Sequence, residues 1–78
     1  MSILFRPNNS QNIYEVESGR DIVELYKNQT ISWRLFDFSR FRCEYDDKED
    51  AYAIKARYFI CGIEQEIVLG YTNKEVKF

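Results

Sequence analysis

Between residues 30 and 45 the chain alternates in two phases: Ile31, Trp33, Leu35, Phe41, Cys43 and Tyr45 in one, and Ser32, Arg34, Phe36, Phe38, Arg40, Arg42 and Glu44 in the other. A period of two is the mark of a half-buried strand. Asp37 and Ser39 interrupt the apolar phase, so a bulge or break is expected near Phe36-Asp37-Phe38-Ser39. After the acidic turn DDKED, residues 52–60 alternate again, with Tyr52, Ile54, Ala56, Tyr58 and Ile60 in phase. The stretch EDAYAIKARYFI also holds three alanines and several helix formers, so a helix competes there; the unbroken alternation decides for a strand. Cys61-Gly62 then makes a two-residue turn into a third strand over 63–71.

Register tests these strands against one another. Pairing Tyr45 with Tyr52, or Cys43 with Tyr52, keeps Phe41 and Cys43 on the face of Ile54, Ala56 and Tyr58. Pairing Ile60 with Ile63 sets Ala56 opposite Ile67, Ile54 opposite Leu69 and Tyr52 opposite Tyr71. Both hairpins choose one core face, in which Tyr45, Tyr52, Tyr58 and Tyr71 are expected to pack.

Toward the N-terminus, residues 2–5 read as a short strand or an apolar arm, RPNNSQN as a loop, and IYEVE (13–17) as a strand with Tyr14 and Val16 inward. Ser18 is a good N-cap, with Asp21 at the reach-back position. The helix runs through about Lys27, buries Ile22, Val23, Leu25 and Tyr26, and stops at Asn28. The tail TNKEVKF is a turn with a short edge strand, Val76 and Phe78 inward. The fold expected is α+β: an antiparallel meander of about five strands with one short helix on one face, in the order β-α-β-β-β-β.

Length makes the 78 residues a single small domain, 1–78, and the 45% hydrophobic and 17% aromatic content supplies its core. No apolar run is long enough for a membrane helix, and no basic-then-apolar leader opens the chain, so a cytoplasmic location is expected. Cys43 and Cys61 fall in opposite phases and are expected to stay reduced, as in a cytosolic setting. The Asn28-Gln29-Thr30 sequon then carries no glycan.

There is no histidine, which removes the commonest general base, the usual triads and most zinc sites. No phosphate-cradling glycine loop is present, two cysteines eighteen residues apart make no metal site, and DDKED lacks the ligand alternation of a calcium loop. The chain is read as a non-enzyme with no cofactor and no metal.

The second phase gathers arginine and phenylalanine, and Arg34, Phe36, Phe38, Arg40, Arg42 and Arg57 are the candidate partner-binding residues, with Lys55 and Phe59 beside them. Arginine and aromatics dominate protein interfaces and also bind single-stranded nucleic acid. Glu66 beside Arg57 and Glu64 beside Phe59 offset part of the charge, and the net charge is −2, which favours a protein partner over a nucleic acid. Asp46, Asp47, Glu49 and Asp50 form a second candidate patch, suited to a basic partner. A solvated sheet face with cross-strand ion pairs accounts for the same residues without any partner. Size and missing chemistry point to a protein-binding inhibitor or modulator of a larger complex, of the anti-defence or anti-CRISPR kind carried by phages and mobile elements. The alternative is a small nucleic-acid-binding regulator, and strand addition at a sheet edge gives a route to a homo-oligomer.

Overall fold

The computed structural model describes residues 2–8, 10–28 and 36–78, with the side chains of 36–40 and 58–60 outside that description. Among the described residues five strands and one helix follow in the order β1 (Ile3–Pro7), β2 (Tyr14–Val16), α1 (Gly19–Lys27), β3 (Phe36–Asp46), β4 (Ala51–Ile60) and β5 (Ile63–Thr72). They form one antiparallel sheet, β2-β1-β5-β4-β3. The α+β meander with one helix is as the alternation predicts, and residues 51–60 are strand. The element order differs: the extra strand stands at the start of the chain, and residues 75–78 form none.

β1 succeeds as a strand because both of its edges find partners. Ile3, Leu4 and Phe5 pair with β2, and Phe5, Arg6 and Pro7 with β5. Pro7, which cannot donate, sits beyond the last pair with β2, where no donor is needed on that side. The first and last strands therefore lie side by side, which local periodicity does not encode.

The helix starts at Ser18, but the Ser18 side chain makes no capping hydrogen bond. Asp21 instead accepts from the Glu17 backbone N–H at 2.9 Å, one residue further back than a capping box reaches. Ser18→Ala should therefore change stability by less than about 0.5 kcal/mol, and Asp21→Ala should cost about 1 kcal/mol. Urea midpoints of the two variants check this, and equal midpoints would contradict it.

The core forms between α1 and the inner sheet face, from Ile3, Phe5, Val16, Ile22, Tyr26, Phe41, Ile54, Ala56, Leu69 and Val76. Tyr26 sits at its centre, edge-on to Phe5 and to Phe41, and burial raises its phenol above the ordinary range. The tyrosines assigned to the core by phase fare differently. Tyr45 is 48% exposed, Tyr52 and Tyr71 are half-buried, and the Tyr58 side chain lies outside the described residues.

The cause at Tyr71 is a bulge in β5. Ala56 does pair with Ile67, but Ile54 pairs with Gly70, Ala53 with Tyr71, and Tyr52 with Thr72. One extra residue, Leu69, is inserted, so Leu69 and Gly70 are both buried in succession. Asn8 holds the bulge by donating its backbone N–H to Leu69 O (2.7 Å) and its side-chain amide to Val68 O (2.9 Å). Tyr71 is thereby turned to the outer face, where the Arg6 guanidinium lies 5.8 Å from its ring.

Candidate functional site on the outer sheet face

Helix α1 and the C-terminal residues pack on the inner face: Phe78 stands edge-on to Phe41 at 5.7 Å, and the Val76 N–H meets Cys43 Sγ at 3.5 Å. The outer face keeps Arg6, Arg42, Glu44, Glu64 and Glu66 exposed, with Lys55, Arg57, Val68 and Tyr71 half-buried among them.

Of the six arginine-phenylalanine candidates, Arg34 lies outside the described residues. Phe36, Phe38 and Arg40 have backbones in β3 and side chains outside the description. The irregularity expected near them is present. Phe36 pairs with Tyr58 and Asp37 with Arg57, whereas Arg42 pairs with Lys55 and Cys43 with Ile54. Residues 38–41 thus stand against Ala56 alone, and no single backbone phase runs from position 36 to position 42.

Arg42 and Arg57 are brought together, and with them three carboxylates. Arg42 grips Glu66 with a two-pronged fork, Nε to Oε2 and Nη2 to Oε1, both at 2.9 Å. Its Nη1 reaches Glu44 at 2.9 Å, and Glu44 is shared with Lys55 Nζ at 3.4 Å. Arg57 donates to Glu64 at 3.0 Å and lies 3.9 Å from Glu66. The charges alternate in one ribbon across three strands, Lys55–Glu44–Arg42–Glu66–Arg57–Glu64. Three cations meet three carboxylates, and the ribbon is neutral.

The phase argument anticipated Glu66 beside Arg57, since those residues are direct cross-strand partners. It missed the Arg42–Glu66 fork, which spans β4 from β3 to β5. Only a side chain as long as arginine bridges two strand spacings, about 9.6 Å.

The Arg42 fork holds the Glu66 carboxyl below the usual carboxylate range, and Arg42 is itself raised, first by the same hydrogen bond. The pairing thus contributes above the ordinary carboxylate range and is lost as pH falls through the lowered Glu66 value. Both groups face solvent, so its effect on stability is small. Arg42→Ala should return Glu66 to the usual range in a carboxyl NMR titration. An unchanged Glu66 would mean that the fork does not persist in solution.

The acidic patch has work of its own in the turn. Asp46 Oδ1 accepts from the N–H groups of Lys48 (2.9 Å) and Glu49 (3.3 Å), an Asx-type closure. Asp50, at φ 51°, accepts from the Tyr45 hydroxyl at 2.6 Å, which is the first cause of the raised Tyr45 phenol. Asp47 and Glu49 are exposed. Both cysteines are free, Cys61 exposed in its turn and Cys43 half-buried with its thiol raised by burial.

A groove of about 570 Å³ between α1 and the C-terminus was not foreseen; Val23, Phe41 and Phe78 form its apolar part, and Arg20, Glu24 and Lys77 its charged part. The one available signal was the pair of apolar residues in the tail, which read as strand. Val76 is buried as expected, while Phe78 is 49% exposed.

Comparisons of the chain with protein-family models, with curated proteins and with solved structures find no match. No helix among the described residues is long and apolar enough to cross a membrane.

Proposed function

We propose that this domain is a non-enzymatic protein-binding module that inhibits or modulates a larger macromolecular complex through the outer face of its sheet. The observation that carries the reading is the neutral, pre-paired ribbon of Arg42, Arg57, Lys55 and their three glutamates. Arginines already held by carboxylates lose less freedom on docking, which suits a protein surface of mixed charge. A phosphate track works by unbalanced positive charge and counterion release. Here each cation already has a carboxylate within reach, which counts against the nucleic-acid alternative.

Arg42 and Arg57 are the candidates on this face whose side chains the structure describes. Arg34, Phe36, Phe38 and Arg40 remain candidates by sequence, and the exposed acids Asp47 and Glu49 a second patch. Small size and the lack of histidine support an inhibitor of the anti-defence kind, acting in the cytoplasm and encoded by a phage or mobile element.

The test is affinity capture from nuclease-treated host lysate with the native chain and with an Arg42→Glu, Arg57→Glu variant shown to be folded by circular dichroism. A partner retained by the native chain and lost by the variant is the expected result. A partner that needs intact nucleic acid, or one held equally by both chains, would overturn the reading.

A further inference from the structure

We infer that the β3 edge is a self-complementary docking edge for a second copy of this chain, joined antiparallel about a two-fold axis through Cys43. The inference stands on the edge of β3 rather than on the outer-face reading, with which it shares Arg42. Among the described residues β3 has a strand on one side only, and from Arg42 to Asp46 its ladder with β4 runs through five consecutive regular pairs. An extended edge of this kind presents backbone donors and acceptors that only another strand can fill in register.

Symmetry restricts the registers. A two-fold axis normal to the sheet always sets one residue of β3 opposite its own mate and keeps each face continuous with the same face of the copy. Centred on Arg42, it opposes two arginines. Centred on Glu44, it opposes two glutamates. Centred on Cys43, it places Arg42 opposite Glu44 of the copy, twice; the two residues pair with each other at 2.9 Å within one chain, and with side chains 49% and 50% accessible they are open to the copy's as well.

On the inner face the same register brings Tyr45, one of the large hydrophobic residues left exposed, against the end of the copy's regular segment at Arg42. Natural edges are commonly guarded by charge of one sign, which repels a second strand. The Arg-Cys-Glu order of β3 does the reverse in one register. The irregularity at residues 38–41 confines pairing to the segment beyond it, so the interface is short and the dimer weak, below the size of a standard interface.

Sedimentation over a wide concentration range at low salt reads the association directly, and the native chain should show a concentration-dependent dimer. Glu44→Arg sets arginine against arginine across the axis, and it also removes the carboxylate that Arg42 Nη1 and Lys55 reach within the chain. It should weaken the dimer at least tenfold, and combining Arg42→Glu with Glu44→Arg should restore it. Directly opposed residues have Cα atoms about 4.5–5.5 Å apart, within disulfide reach. A Cys61→Ser chain treated with oxidised glutathione should therefore give a Cys43–Cys43 dimer. Two thiols lose two protons and two electrons, and the oxidant leaves as two glutathione thiols. A monomer at every concentration, undiminished dimer in folded Glu44→Arg, or no Cys43 cross-link would each overturn the inference.

Discussion

Gly70→Ala should destabilise the domain by about 3 kcal/mol and lower its thermal midpoint by roughly 12–24 °C. Gly70 lies opposite Pro7 in the β1–β5 pairing, one residue past the Leu69 insertion. A Cβ built there would stand 2.4 Å from Arg6 O, 2.8 Å from the Phe5 ring and 2.8 Å from Pro7 Cα. Two of those atoms are backbone, so relief requires β1 to move away from β5. Moving β1 also disturbs Asn8, whose two hydrogen bonds close the bulge. Gly62→Ala is the control of a different kind, because nothing lies within 4 Å of its Cβ and only its φ of +78° opposes the change. That variant should lose about 1 kcal/mol. Thermal unfolding followed by circular dichroism separates the two, and a Gly70→Ala midpoint within about 4 °C of the native one would contradict the close approach.

Period-two alternation made β3, β4 and β5 legible because each hairpin closes locally. The Ile60–Ile63 pairing follows from turn chemistry and phase, while phase left Tyr45–Tyr52 and Cys43–Tyr52 both open and the structure has the first. What phase could not carry was an insertion. Leu69 adds one residue to β5, and one residue is enough to move Tyr71 outward and bury Thr72, whose hydroxyl is satisfied by Lys74 O at 2.7 Å. A glycine inside an alternating run is a signal for a bulge or a close backbone approach, and Gly70 carried it.

The same limit applies to the candidate site. Asp37 and Ser39 announced the irregularity in β3, yet the six arginine-phenylalanine candidates were joined by a phase that runs through it. The neutral ribbon was half legible: Glu66 and Arg57 are neighbours by pairing, while Arg42 reaches Glu66 by length of side chain over an intervening strand. Register describes backbones, and long charged side chains are not bound by it. Exposure of Tyr45 was hidden for another reason. Its ring shares a phase with Phe41, but it lies at the hairpin end, where it stacks edge-on against Tyr52 at 5.4 Å and gives its hydroxyl to Asp50.

Phe5→Ala should cost about 3–5 kcal/mol and lower the thermal midpoint by roughly 12–40 °C. A domain of this length holds only about 4–12 kcal/mol in all, so one core deletion is a large part of its stability. Phe5 is 0% exposed and stands edge-on to Tyr26 at 6.3 Å, joining β1 to the helix while its backbone pairs with both β2 and β5. Its removal opens a cavity against a helix of nine residues, too short to hold its shape without packing. Phe78→Ala provides the comparison at the other chain end. That ring touches Phe41 but is 49% exposed, and its loss should cost about 1 kcal/mol. Both ends carry apolar residues, Ile3, Leu4 and Phe5 at one and Val76 and Phe78 at the other. They differ because β1 is bracketed by strands on both sides, whereas the tail is fastened through Val76. The thermal midpoint followed by near-UV circular dichroism of the tyrosines should therefore fall far with Phe5→Ala and little with Phe78→Ala, and the opposite order would mean that the tail, not the first strand, closes the core.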